Sequence, residues 1–326
     1  KIAGVSQSTV SRVLNDSSSP IAISEKTRKK VLDAIAQLGY HPNVTARSLR
    51  TQRTYMIAVM IADISNAFYH FIVRAVQDVA HTHSYDVLIF NTDHLYENEK
   101  HFCEAVMRRP VDGVIVVPFH LTTEELDHLI RRTGAAVVAL GQHVEHPEVD
   151  VVYTDDERAT REAVCLLIGK GHHRIGYIGV SQSTGVGARR WRGYRCALEA
   201  AGLAVESALV QEGDFSPESG RRAMRALLAL SHPPTAVFAG NDLMALGAMD
   251  AAQSLGRQVP QDVAVMGFDD IPEATLVRPY LTTVAQKPHE IGRQLAEALL
   301  ERIEGRVSGG RRLFEIPYEI VERQST

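Results

Sequence analysis

From residue 54 onward, short runs rich in Val, Ile and Ala alternate with longer segments of helical period. This alternation is the strongest constraint on what the chain can fold into. The apolar runs cover 56–61, 87–90, 114–117, 135–140, 149–153, 175–178, 236–239 and 263–266. Helical segments lie between them, at 68–82, 99–109, 123–132, 157–169, 190–201, 217–230 and 242–255. Two helix starts are explicit: Thr122 with Glu125 has the capping-box spacing, and Ser216-Pro217 is a cap followed by proline at the first helical position. Parallel strands need a long crossover between them, and a sheet covered on both faces reads as continuous apolar runs. The pattern predicts an α/β fold. About ten strand–helix units exceed one comfortable sheet, so two doubly wound parallel-sheet subdomains are expected.

The first 53 residues follow another pattern and carry another charge. They hold nine Lys/Arg against three acids, whereas the rest of the chain holds 26 against 36 within an overall net charge of −4. A basic head on an acidic body suits a polyanion-binding module joined to something that must not bind polyanions. The bland alternative is a solvated charge run. Only helix signals occur here. Val10, Val13 and Leu14 can pack inward, which turns Gln7, Ser8, Ser11 and Arg12 outward as a hydrogen-bonding face without a carboxylate. Gly4-Val5 reads as a tight turn, with Ser6 as the helix cap. A second helix is expected from Ser24 to Gly39, burying Val31, Leu32, Ile35 and Leu38.

Specific motifs sharpen this reading. Ala3-Gly4-Val5-Ser6-Gln7-Ser8-Thr9-Val10-Ser11-Arg12-Val13-Leu14-Asn15 resembles the turn and recognition helix of the lactose/galactose repressor (LacI/GalR) family. Tyr40-His41-Pro42-Asn43, then Ala46-Arg47-Ser48-Leu49-Arg50, resembles the hinge that follows that head. The resemblance implies that Gln7, Ser8 and Arg12 reach base edges in the major groove, Arg12 suiting guanine and Gln7 adenine. It likewise implies phosphate contacts from Ser6, Thr9, Ser11 and Asn15, further DNA contacts from Tyr40 and Asn43, and a minor-groove wedge at Leu49. A packed core leucine is the competing reading of Leu49, and the flanking Arg47, Arg50 and Arg53 argue against it. The family's first helix should precede Gly4, where only Lys1-Ile2-Ala3 stand, so an N-terminally truncated helix-turn-helix head that binds DNA poorly is expected.

The resemblance extends over the body. It is carried by Asp63-Ile64-Ser65-Asn66-Ala67-Phe68-Tyr69, by Gly171-His172-His173-Arg174-Ile175-Gly176-Tyr177-Ile178-Gly179 and by Arg190-Trp191-Arg192-Gly193-Tyr194. Asn241-Asp242-Leu243-Met244-Ala245-Leu246-Gly247, Gly267-Phe268-Asp269-Asp270-Ile271-Pro272 and Leu281-Thr282-Thr283-Val284 complete the set. It implies a periplasmic-binding-protein-like fold whose chain crosses between subdomains near 153, 283 and 313. The expected division is a head and hinge at 1–53, a first subdomain at 54–153 with 284–312, and a second at 154–283 with 313–326. By the same resemblance Asp155, Arg190, Asn241 and Asp269 line an effector cleft from the second subdomain, Phe68 and Tyr69 close it from the first, and Gln286 enters from a crossover. Carboxylate and amide acceptors, a guanidinium donor and aromatic faces suit a polyhydroxylated ligand, a sugar or nucleoside. The plainer reading is that Asn241 and Asp242 cap a helix while Asp269 and Asp270 occupy a turn.

Enzyme chemistry finds no support in the motifs. GxGxxG fails at Arg190, three beyond Gly187, and GxxxxGK[ST], GxSxG and HExxH are absent. Fourteen histidines include the pairs His143/His146 and His81/His83, which lack a third ligand nearby and read as surface or core residues. Cys103, Cys165 and Cys196 form no CxxC pair. No cofactor or metal is expected. The whole reading is a cytoplasmic, ligand-responsive transcriptional repressor that binds a pseudo-palindromic operator as a homodimer, with no membrane partner. The alternative is a solute-binding or sensory protein with the same body, which would need a signal peptide and no Ser6–Asn15 helix.

Overall fold

The computed structural model describes residues 2–15, 23–38, 48 and 53–326, and the chain divides into two compact units, Lys1–Thr54 and Tyr55–Thr326. In the first unit, α1 (Gln7–Asn15) begins where the Ser6 hydroxyl accepts the Thr9 N–H at 3.2 Å. The second helix, α2 (Glu25–Leu38), starts the same way: Ser24 Oγ accepts the Thr27 N–H at 3.2 Å. Each side chain satisfies a backbone donor that the first helical turn leaves open. Val13, Val31 and Ala34 are buried, and Ile35 is half-buried. Leu32 and Leu38, expected in the buried stripe, are 47% and 59% exposed. Of the expected stripe, Val31 is thus buried and Ile35 half-buried, and Ala34 joins them.

In the second unit, β1 (Met56–Ile61), β2 (Asp86–Asn91), β3 (Gly113–Val116), β4 (Ala136–Leu140) and β5 (Asp150–Tyr153) alternate with α3 (Ala67–Thr82), α4 (Tyr96–Arg108) and α5 (Thr123–Thr133). The chain then passes into α6 (Asp156–Gly169), β6 (Ile175–Gly179), α7 (Gly185–Ala200), β7 (Val210–Glu212), α8 (Pro217–Leu228), β8 (Ala236–Ala239), α9 (Asp242–Ser254) and β9 (Ala264–Asp269). It closes with β10 (Thr282–Ala285), α10 (Pro288–Ile303), β11 (Leu313–Glu315) and β12 (Glu319–Val321). The strands form two six-stranded sheets, ordered β11-β5-β4-β3-β1-β2 and β12-β10-β9-β8-β6-β7. Every pairing is parallel except β10 with β12.

Each sheet is covered on both faces. Alternate strand residues divide between two apolar clusters: Ile57, Val59 and Ile61 face one, and Ala58 and Met60 face the other. The period of two places successive side chains on opposite faces, so a double-sided core needs unbroken apolar strands. Both predicted helix starts are present. Thr122 and Glu125 cap α5 reciprocally, and Ser216 caps α8 with Pro217 at its first position.

The crossovers lie slightly later than expected. β10 belongs to the second sheet through Ala285, two residues past the expected boundary, and β11 pairs with β5 in the first sheet, against the expectation that 313–326 lies in the second. Apolar pattern does not say which sheet a three-residue edge strand joins; an ion cluster does. Asp150 is fully buried, and its carboxylate accepts from Arg302 Nε at 2.9 Å and Nη2 at 2.6 Å, and from Arg312 N, Nε and Nη2 at 2.8, 3.0 and 2.8 Å. The cluster ties α10 and β11 to β5. Strands β7, β10, β11 and β12 and helix α10 extend the architecture beyond the apolar runs and helical segments legible in the sequence.

Candidate functional site

On the first unit, Ser8 is exposed and Thr9 and Arg12 are half-buried on α1, with Arg12 Nε donating to the Ser8 carbonyl at 3.4 Å. Ser6 Oγ lies 2.7 Å from Ser8 Oγ and 2.9 Å from Thr9 Oγ1, so the cap and the first outward positions form one hydroxyl cluster. Gln7, Ser11 and Asn15 sit on α1, with side chains outside the described set, and Tyr40, Asn43 and Leu49 lie outside the described residues.

On the second unit, a cleft opens between the sheets, holding about 690 Å³ with its mouth included. Its walls are the carboxyl ends of parallel strands, where open α/β sheets expose loops and helix N-termini. After β1 come Asn66, Phe68 and Tyr69; after β2, His94; after β3, Phe119; after β4, His143; at the end of β5, Tyr153, and just beyond it Thr154. The second subdomain contributes Asp156, Val186, Arg190, Phe215, Asp269 and, beyond β10, Gln286.

Local chemistry fixes these side chains. Asn66 caps α3 by accepting the Phe68 N–H at 3.0 Å, which sets Phe68 and Tyr69 on the first turn with their rings edge to face, 5.2 Å apart. Glu99, fully buried on α4, accepts the N–H groups of Phe119, His120 and Leu121 at 2.9, 3.1 and 2.9 Å and so shapes the loop that carries Phe119. Arg190 is buried, donates through Nε to Asp156 Oδ1 at 2.9 Å and to the Gly240 carbonyl, and lies 3.8 Å from the Phe268 ring centroid. Its guanidinium is held in one orientation by a carboxylate, a carbonyl and a π face.

Asp269 ends β9 with φ 125°. A non-glycine residue in that region is strained, and such strain concentrates at functional positions. Its Oδ1 accepts Gln286 Nε2 at 2.8 Å. Burial pushes its carboxyl up to about 8, with Arg190 opposing and Asp242 adding to the rise. Tyr69 is raised as well, by burial first and then by Asp269. The polar centre thus couples Asp269, Arg190, Asp156 and Tyr69 away from water. Two further polar atoms on the wall, His94 Nδ1 and Thr154 Oγ1, are buried without a hydrogen-bond partner.

Of the residues named from the sequence, Phe68, Tyr69, Arg190, Asp269 and Gln286 meet in the cleft. Asp155 and Asn241 do not line it. Asp155 caps α6, accepting the Arg158 N–H at 3.1 Å, and faces a separate groove; the next residue, Asp156, is the one that turns to Arg190. Asn241 is buried as the cap of α9, accepts the Met244 N–H at 2.9 Å and donates to the Phe215 carbonyl at 3.1 Å, so it positions a wall residue from behind. A cap side chain folds back over its own helix terminus, which takes it off the wall. Sequence reasoning missed His94, Phe119 and Phe215; their usable signal is position, three residues past a strand's carboxyl end. Among the described residues no His/Cys/Asp/Glu group could hold a metal ion, and no helix is long and apolar enough to cross a membrane.

A helical head with capped, polar-faced helices and a two-sheet body with a polar central cleft define a ligand-responsive DNA-binding regulator. Residues 1–43 match the model for bacterial regulatory proteins of the lacI family, and residues 164–326 match a periplasmic binding protein-like domain. Catabolite control protein A of Priestia megaterium is 35% identical over 99% of this chain and 96% of its own length. The HTH-type transcriptional repressor CytR of Escherichia coli (strain K12) is also 35% identical, over 99% of this chain and 94% of its own. The crystal structure of the Lac repressor dimer bound to operator and the anti-inducer ONPF superposes with a TM-score of 0.87, at 28% identity, covering 99% of this chain and 96% of that one. The chain belongs to the lacI family of bacterial regulatory proteins. It is a transcriptional repressor of that family, and its relatives are regulators, not enzymes.

Proposed function

We propose that this repressor binds a pseudo-palindromic operator as a homodimer and that a sugar or nucleoside in the central cleft sets its affinity for DNA. The Lac repressor dimer bound to operator and an anti-inducer supports this reading through its match along nearly the whole chain. The observation that carries the effector half is that His94 Nδ1 and Thr154 Oγ1 are unpartnered in the cleft that Asp269 and Arg190 also line. Buried polar atoms are normally hydrogen-bonded, and a ligand rich in hydroxyls completes these bonds. Phe68, Phe119 and Phe215 supply apolar faces against the C–H side of a sugar or the face of a base.

In the mechanism, ligand held by both subdomains favours one relative orientation of the two sheets. Coupling of about 1–3 kcal/mol between cleft and head changes operator affinity roughly 5–150-fold. Two heads of a dimer then read two half-sites, with Gln7, Ser8 and Arg12 toward base edges, Ser6, Thr9, Ser11 and Asn15 toward phosphates, and Tyr40, Asn43 and Leu49 at the hinge.

The test is a thermal-shift screen with ribose, glucose, galactose, cellobiose, cytidine, uridine, adenosine and guanosine. A ligand at 100 times its Kd adds about 2.7 kcal/mol, several degrees for a body of this size. The expected hit disappears in Asp269→Ala while operator binding persists. A hit that survives unchanged in Asp269→Ala removes Asp269 from the site.

A further inference from the structure

Two imidazoles bridge the subdomains. His94 follows β2 in the first subdomain, with Asp93 and His94 both left-handed at φ 52° and 58°, a turn that projects the ring across the cleft. There it stacks on Phe215 of the second subdomain, centroids 4.8 Å apart and planes at 21°, while Phe119 meets both rings edge-on at 4.6 and 5.7 Å. The second bridge is His143, after β4. Its Nε2 donates to the Pro118 carbonyl at 2.9 Å, and its ring lies so close to Gly185, the first residue of α7, that no Cβ fits there.

We propose that closing the cleft is coupled to proton release from His94 and His143, so that acid opens the cleft and antagonises effector capture. Effector capture here rests on the function proposed above; the proton coupling itself does not. The cause is the environment of each ring. His94 is held below its ordinary 6.5, first by burial and further by His120, against the opposing carboxylates of Asp63 and Asp93 in its own subdomain and Asp214 in the other. His143 is lowered by burial and by Arg189, against the Pro118 hydrogen bond and Asp156. Opening returns both rings to water and to ordinary values near 6.5. Protons therefore bind the open form more readily, and falling pH through that range favours opening. Each histidine shifts the closing equilibrium by at most about tenfold per pH unit, and both together by about a hundredfold.

The experiment needs no ligand. The Cε1 resonances of His94 and His143 are followed through a pH titration of the full chain, assigned with His94→Gln and His143→Gln. In the native chain both should titrate below 6.5. In Phe215→Ala, which removes the His94 stack and the Phe119 edge contact but not the contact of His143 with Gly185, both should move up together, because the cleft opens as a whole. His94 titrating at its ordinary value in the native chain, or His143 unmoved in Phe215→Ala, overturns the proposal. If Phe215→Ala does not fold, Gly185→Ala provides the reciprocal arm: displacing His143 should raise His94, and an unmoved His94 overturns the coupling. A ligand screen without a hit leaves these outcomes untouched, so the two readings fail separately.

Discussion

Replacing Asp150 by alanine should destabilise the body by about 3 kcal/mol, at the lower end of the 3–5 kcal/mol expected when one partner of a buried ion pair is removed. The carboxylate is fully buried, whereas the side chains of Arg302 and Arg312 keep 12% and 26% exposure. Both arginines also retain other acceptors: Arg302 bonds the Gly309 and Gly310 carbonyls at 2.7 Å each, and Arg312 holds Glu301 at 2.6 Å. Those contacts and the residual water keep the loss from the upper end of the range. For a body of this size, 3 kcal/mol corresponds to roughly 5 °C in melting temperature by scanning calorimetry. The pH dependence adds a second readout. Burial raises the Asp150 carboxyl, but Arg302, Arg312 and the Arg312 N–H outweigh it and hold the group below its ordinary value. A depressed carboxylate contributes stability that is present above its unfolded pKa, near 3.9, and is lost as pH falls through the folded value. The gap between native chain and Asp150→Ala should be level from about pH 8 to 5 and shrink in acid. A variant melting within about 1 °C of the native chain at pH 7 would refute the argument that this cluster anchors β11 and α10 to the first sheet.

Asp242→Asn should behave in the opposite sense. Its carboxyl is pushed up to about 7 by burial, against the Thr283 and Ile271 hydrogen bonds, so the native chain loses stability as pH rises from about 4 to 7 and the asparagine variant gains on it over that window; a constant difference in melting temperature across the window contradicts this. Gly247→Ala should cost at least about 1–3 kcal/mol by chemical denaturation, because a Cβ there strikes the Pro217 carbonyl where α9 crosses α8, and an unchanged midpoint would show that the helices can part. Arg12→Ala should weaken operator binding by about 1–3 kcal/mol and relax base preference at one position, read by fluorescence anisotropy at fixed salt; a uniform loss over all sequences would make Arg12 a phosphate contact instead.

The sequence by itself determined the class of fold. Eight predominantly apolar runs, most of them separated by helical segments, point to parallel sheets covered on both faces, because burial on both faces is what suits strands with almost no polar side. The capping pairs Thr122/Glu125 and Ser216-Pro217 were equally local, since a cap needs only its own first turn. The polar cleft residues Arg190 and Asp269 were legible through motif resemblance. Tertiary structure decided what depends on long-range contact. Short strands such as β11 have too few residues to show a period, and Asp150 selects their sheet from more than 150 positions away. Asp155 and Asp156 are indistinguishable as letters, yet one folds back over its helix terminus and the other turns to Arg190. His94 and Phe215 read as unremarkable residues in two distant loops until the sheets face each other. Their stack exists only because strand ends of both subdomains converge, and no local pattern encodes which loops will meet.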